Sequence, residues 1–140
     1  MKPFIDSRLE TKYMPEINGW GVFANNNIEA NVLIEVAPVI VYPSSPVNLA
    51  FSICQAQGIS IENFQIDQYV LEWQGNFGLM LGWTAVYNHS DNNNVRFLAD
   101  FKNSFMTIET LREINAGEQV LVSYGEDWWK KKPYVKKVNY

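Results

Sequence analysis

The hydrophobic positions of this chain fall into short stretches separated by turn-forming residues. LIEVAPVIVYP, residues 33–43, alternates apolar and polar positions and then runs apolar, as a half-buried strand entering a core does. GWGVFA at 19–24 reads as a strand leading into the turn-rich NNNIEAN. PSSP closes that unit, and residues 47–57, VNLAFSICQAQ, read as a short helix with the Ser/Pro cluster before it and Gly58 as its stop. ISIENFQIDQYVLEW, 59–73, mixes short strand-like pieces, with Gly75, Gly78 and Gly82 as punctuation. From residue 81 to residue 125 the pattern is strand, loop, strand, turn and strand, with NAG at 115–117 as the last turn. The expected chain is mostly β with one or two short helices and no internal repeat.

Length, composition and charge narrow the classes. With 140 residues, 47% hydrophobic and 19% charged, the chain fits one packed domain. No apolar run approaches the roughly 20 residues that span a bilayer, and the N-terminal MKPFIDSRLE lacks a secretory apolar stretch. An intracellular, cytoplasmic or nuclear location follows as an expectation, with no membrane partner. Cys54 is the single cysteine and His89 the single histidine, which excludes an internal disulfide and speaks against a closed protein-ligated metal site. The charge is asymmetric. Residues 1–129 hold six basic against fifteen acidic residues, −9, whereas residues 130–140 hold five lysines and no acid. An acidic body attracts cationic partners and offers duplex nucleic acid no extended basic surface.

Three segments carry candidate chemistry: Gly19-Trp20-Gly21, Asn88-His89-Ser90, and Gly117-Glu118 followed by Tyr124-Gly125. Glycines flanking an aromatic allow close backbone approach to a ligand, and equally an ordinary turn. Asn, His and Ser in succession supply several donors and acceptors, for a heterocycle edge or for a turn. A further possibility is a thiol hydrolase with Cys54 as nucleophile and His89 as its base; against it, Cys54 sits in the apolar run AFSIC, where a small buried thiol is the commoner outcome.

In their order and spacing, with 67 residues from Gly21 to Asn88 and 36 from Asn88 to Tyr124, GWGVFA, NHSDNNN and GEQVLVSYG together resemble the SET-domain protein lysine methyltransferases. The resemblance covers roughly residues 8–129 and implies a β-clip type fold of small packed sheets, with a C-terminal pseudoknot that sets NHSDNNN beside VLVSYG. Residues 1–140 would form a single SET domain with a core of about 8–129 and a basic C-terminal tail at 130–140. It further implies that S-adenosylmethionine and a target lysine enter from opposite faces and meet in a narrow channel, with no metal involved.

Residue by residue, the resemblance makes Tyr124 the catalytic tyrosine. Gly19, Trp20, Gly21, Asn88 and His89 would hold the methyl donor, His89 as cofactor frame and not as a base. Trp128 and Trp129 would close the donor site, where many relatives carry a zinc-binding cysteine cluster. Tyr87, Phe97, Tyr69 and Val122 would shape the substrate channel, and Trp73 the approach to it. Asp91 stands where the family often has cysteine and Asn93 where it often has proline, while Asn94 keeps the final asparagine. The implied partner is a lysine-containing protein, a histone tail among the candidates. Minimal free-standing members, such as viral and bacterial SET proteins, can dimerise, so a homodimer belongs to the expectation. The alternative is a catalytically degenerate SET fold serving as a peptide-binding module; a module released from catalysis need not keep Gly19, Gly21, Asn88 and Tyr124 together.

Overall fold

The structure is a computed structural model and describes residues 1–59, 69–133 and 135–140, without the side chains of residues 46 and 47. The longest strand, β4 (Leu33–Tyr42), organises the larger sheet. Its first half pairs with β1 (Phe4–Ile5) on one side and β9 (Phe105–Thr110) on the other. Its second half pairs with β6 (Asn76–Met80). β5 (Val70–Trp73) and β8 (Val95–Asp100) extend the two ends, in the order β5-β6-β4-β9-β8. Flanked on both edges and covered on both faces, Ile34, Glu35, Val36 and Ala37 are all buried. The polar Glu35 therefore does not mark a solvent face, contrary to what alternation in a half-buried strand implies.

The smaller sheet has the order β2-β3-β10-β7. β2 (Leu9–Met14) and β3 (Gly19–Ala24) form an antiparallel pair over six residues each. β10 (Gln119–Val122) pairs antiparallel with β3 and parallel with β7 (Asn88–His89), setting Leu121 beside Asn88 and Val122 beside His89. Two segments some 33 residues apart thus lie side by side, as the resemblance implied. Asn94 fastens them: its amide oxygen accepts from Leu121 N–H at 2.8 Å, its amide nitrogen donates to Gln119 O at 2.9 Å, and its backbone N–H donates to Leu121 O at 3.0 Å. The fully buried Val22, Ile28, Ile34, Val95, Ile108, Ile114 and Val120 form one core between the sheets.

Helix α1 (Ser44–Ala56) begins three residues before the expected start, because a first turn has no intrahelical use for its N–H groups and so tolerates Pro46. Gly58, at φ +74°, follows its end. The strand-like pieces expected at 59–73 resolve into β5 from Val70, and residues 60–68 lie outside the described residues. A second helix, α2 (Glu126–Lys131), follows directly on the Tyr124-Gly125 segment, with acids in its first turn and lysines in its last, the charge order that a helix dipole favours. No helix among the described residues is long and apolar enough to cross a membrane.

Candidate functional site

Tyr124 sits between two cavities and lines both. The first, about 380 Å³, is bounded by the start of β3 (Gly19, Trp20), the approach to β7 (Tyr87, Asn88, His89), the tryptophans of α2 and the C-terminal segment. The second, about 720 Å³, lies on the side of α1, β5 and the β5–β6 turn, with Phe51, Leu71, Glu72, Phe77 and Lys131 in its wall. Trp128 is shared as well. Both volumes fall in the range of small-ligand sites.

The wall between them is aromatic. The Tyr124 ring lies 4.7 Å from Trp128 and stacks on Trp129 at 5.7 Å, and the two indoles meet edge to face at 4.8 Å. The Tyr124 hydroxyl donates to the Tyr87 carbonyl at 2.7 Å. Burial pushes its pKa well up, so the phenol stays protonated and does not serve as a base. Among the described residues the Trp129 indole N–H is buried with no acceptor, while the residue contributes to the wall of the first cavity.

Behind Tyr124 stands a buried carboxylate. Glu35 Oε1 accepts from the backbone N–H groups of Trp83 and Thr84 at 2.8 and 3.1 Å and from the Thr84 hydroxyl at 2.9 Å, while Oε2 accepts from the Tyr87 hydroxyl at 2.9 Å. Burial raises the Glu35 pKa even against these four bonds. Glu35 thereby fixes residues 83–87, whose last carbonyl receives the Tyr124 hydroxyl. Gly82 makes room for it: a Cβ there would stand 2.6 Å from Glu35 Oε1.

His89 is buried beneath the two-tryptophan wall, 5.0 Å from Trp129 and 5.3 Å from Tyr124. Its Nδ1 accepts from Tyr124 N–H at 3.2 Å and its Nε2 lies 3.0 Å from Asp91 Oδ1. That pattern assigns the neutral tautomer protonated on Nε2. Burial lowers its pKa, Asp91 opposing. With both nitrogens engaged, His89 has none left for Cys54, which is partly exposed on α1. This removes the thiol-hydrolase arrangement.

Gly19, Trp20, Asn88, His89, Trp128, Trp129, Tyr87 and Tyr69 thus come together around the first cavity. Four expected residues stand back from both cavities. Gly21 faces protein instead of ligand: a Cβ would come within 2.6 Å of Met14 Sδ, 2.8 Å of Gln119 Oε1 and 3.0 Å of Asn88 Nδ2. The Asn88 amide donates there to Gln119 Oε1 at 2.8 Å and to Trp20 O at 3.2 Å. Phe97 packs edge-on against Tyr87 at 5.9 Å, and Val122 is buried in β10. Trp73, expected at the substrate approach, is buried instead against Phe101 at 4.8 Å, because the strand's alternation turns it inward. Tyr69 lines the first cavity and not the second. Sequence reasoning missed Glu35, whose signal is an acid inside a strand otherwise apolar on both faces.

Comparison with known proteins agrees with this geometry. Residues 19–125 match the SET domain family. A Schizosaccharomyces pombe protein named histone-lysine N-methyltransferase, H3 lysine-37 specific, is 32% identical over 128 residues, 91% of this chain and 80% of that protein. A crystal structure of a candidate histone methyltransferase from Plasmodium falciparum superposes with a TM-score of 0.61 at 25% identity, covering 89% of this chain and 99% of the other.

Proposed function

The chain belongs to the SET-domain family of protein-lysine methyltransferases, and we propose that it transfers a methyl group from S-adenosylmethionine, held in the first cavity, to a lysine presented from the second. The observation that carries this reading is that two ligand-sized cavities share Tyr124 and Trp128. In-line transfer needs the two substrates to meet end to end at a shared border, and Tyr124 and Trp128 form the border that these two cavities share. One SET unit with its core at about 8–129 is the corresponding domain assignment.

The residues of the first cavity suit the donor. Trp20, Tyr124, Trp128 and Trp129 line it, and an aromatic face turned to a cationic sulfonium is worth about 0.5–2 kcal/mol. Gly19 and the Trp20 backbone lie where the donor's amino-acid end would be held, and Asn88 braces the Trp20 carbonyl from behind. When bound, the donor supplies an electrophilic methyl on sulfur.

The chain's own groups then act by position. Tyr124, its proton committed to the Tyr87 carbonyl, turns its oxygen lone pairs to the incoming amine and orients it. The amine must be neutral to attack, and an exposed lysine has a pKa of about 10.4. Aromatic walls that exclude water disfavour its ammonium form and help release the proton.

The substrate is a basic protein segment, and a histone H3-like tail is the favoured one. The −9 body attracts a basic tail, and the S. pombe relative is named for a histone H3 lysine. Such a substrate places the protein inside the cell, in or near the nucleus. The test is transfer of labelled methyl from S-adenosylmethionine into purified histones and basic peptides, with the modified lysine mapped. Label on a histone lysine supports the reading. A folded protein with no calorimetric affinity for S-adenosylmethionine overturns it in favour of a peptide-binding module.

A further inference from the structure

Among the last six residues, Val135, Lys136 and Val138 form part of the wall of the first cavity. Asp91 makes most of the contacts that hold them there. Lys137 Nζ lies 3.0 and 3.1 Å from the two carboxylate oxygens of Asp91. Asn139 donates from Nδ2 to Asp91 Oδ2 at 3.1 Å and accepts from Asp91 N–H on Oδ1 at 2.8 Å. Next to it, the Ser90 hydroxyl donates to the Tyr140 carbonyl. The Lys137 ammonium also stands 5.5 Å over the Trp129 ring. On its inner side the Asp91 carboxylate meets His89 Nε2, and His89 Nδ1 accepts from Tyr124 N–H.

We propose that Asp91, Lys137 and Asn139 form a latch that closes the donor cavity with the chain's own C-terminal segment, so that retention of the methyl donor is set by an ion pair. The inference rests on the first cavity being the donor site. The fastening is suited to opening and closing. Asp91 and Lys137 are 58% and 44% exposed, so their attraction is weak and salt-screened, while three residues of wall move with it. The bond from Asp91 to His89 makes the same carboxylate part of the support of Tyr124, so closure and the alignment of the tyrosine backbone share one group. Asp91 and Lys137 are therefore positioning residues, acting on the donor through the segment they hold.

The test is S-adenosylmethionine affinity by calorimetry and donor release by stopped-flow tryptophan fluorescence, in the full chain and in Asp91→Lys, Lys137→Asp and the double exchange. Each single reversal should weaken binding roughly threefold to tenfold, the scale of an exposed charge pair set from attraction to repulsion, chiefly through faster release. The double exchange should recover the part of the loss owed to the ion pair, because a lysine at position 91 cannot accept from His89 Nε2–H. Wild-type affinity should fall with added salt more steeply than that of Asp91→Ala. Singles that bind as wild type, or a double exchange no better than the singles, overturn the latch. A donor-free arm follows tryptic cleavage after Lys136 and Lys137: faster cutting in Asp91→Ala supports the clasp, and equal cutting overturns it. Wild-type protein that binds no donor overturns the reading of the first cavity itself, and with it any role of the latch in donor retention.

Discussion

Glu35 has no exposed surface, and four donors converge on its two oxygens. Glu35→Ala would leave the Tyr87 hydroxyl and two backbone N–H groups without acceptors in the interior. A loss of about 2–4 kcal/mol is expected in urea unfolding; a change within experimental error would show that the network contributes nothing. His89 gives a prediction with a sign. Its pKa is lowered in the fold from 6.5, so its contribution to stability is present above the unfolded value and is lost as pH falls through the folded one. Being the single histidine, it can be isolated by difference. Between pH 7.5 and pH 5 the wild type should lose stability relative to His89→Gln, and parallel pH profiles would contradict the neutral, buried imidazole. At this scale the family resemblance singled out Tyr124, Asn88 and His89, and the structure gathers the three around the first cavity. The sequence did not reveal Glu35 or the clasp on Asp91, because each depends on partners 46 to 52 residues away that no local pattern encodes.

Turns decide how the strands deliver these groups. Gly82 and Gly117 share a left-handed backbone, φ +86° and +89°, but a Cβ at Gly117 meets nothing within 4 Å whereas one at Gly82 meets Glu35 Oε1 at 2.6 Å. Gly117→Ala should therefore cost about 1–2 kcal/mol from backbone strain alone. Gly82→Ala should cost a further ~1–3 kcal/mol by crowding the carboxylate. Equal losses in denaturant titrations would refute the role assigned to Gly82. The strands β3 and β4 and the helix α1 were legible from alternation and from Gly58. The pairing of β10 with β7 was not visible in propensity, because a two-residue strand has no period to detect, and it followed only from the family resemblance. Nor was α2: GEDWWKKKP reads locally as a charged, aromatic tail, and its helix is fastened by the stacking of Trp128 and Trp129 on Tyr124.

For the whole molecule, the proposed function puts donor and lysine in two cavities that share Tyr124 and Trp128, so both substrates are to be bound at once. Initial rates over a grid of donor and peptide concentrations should give intersecting double-reciprocal lines, a ternary complex; parallel lines would signal a methylated enzyme intermediate and contradict the geometry. The charge split seen in the sequence has a structural counterpart: Lys131 reaches Glu72 and Lys137 reaches Asp91, so the basic C-terminal residues fold back on the acidic body. A net acidic body favours a cationic partner, as the proposed function requires. The central claim, that Tyr124 is the point where donor and lysine meet, is tested most directly by the single-turnover methyl-transfer rate of Tyr124→Phe at saturating donor. Loss of the hydroxyl should slow transfer by about 100-fold or more, as removal of a positioned polar group in a transition-state site does. A rate within a few-fold of wild type would contradict the assignment.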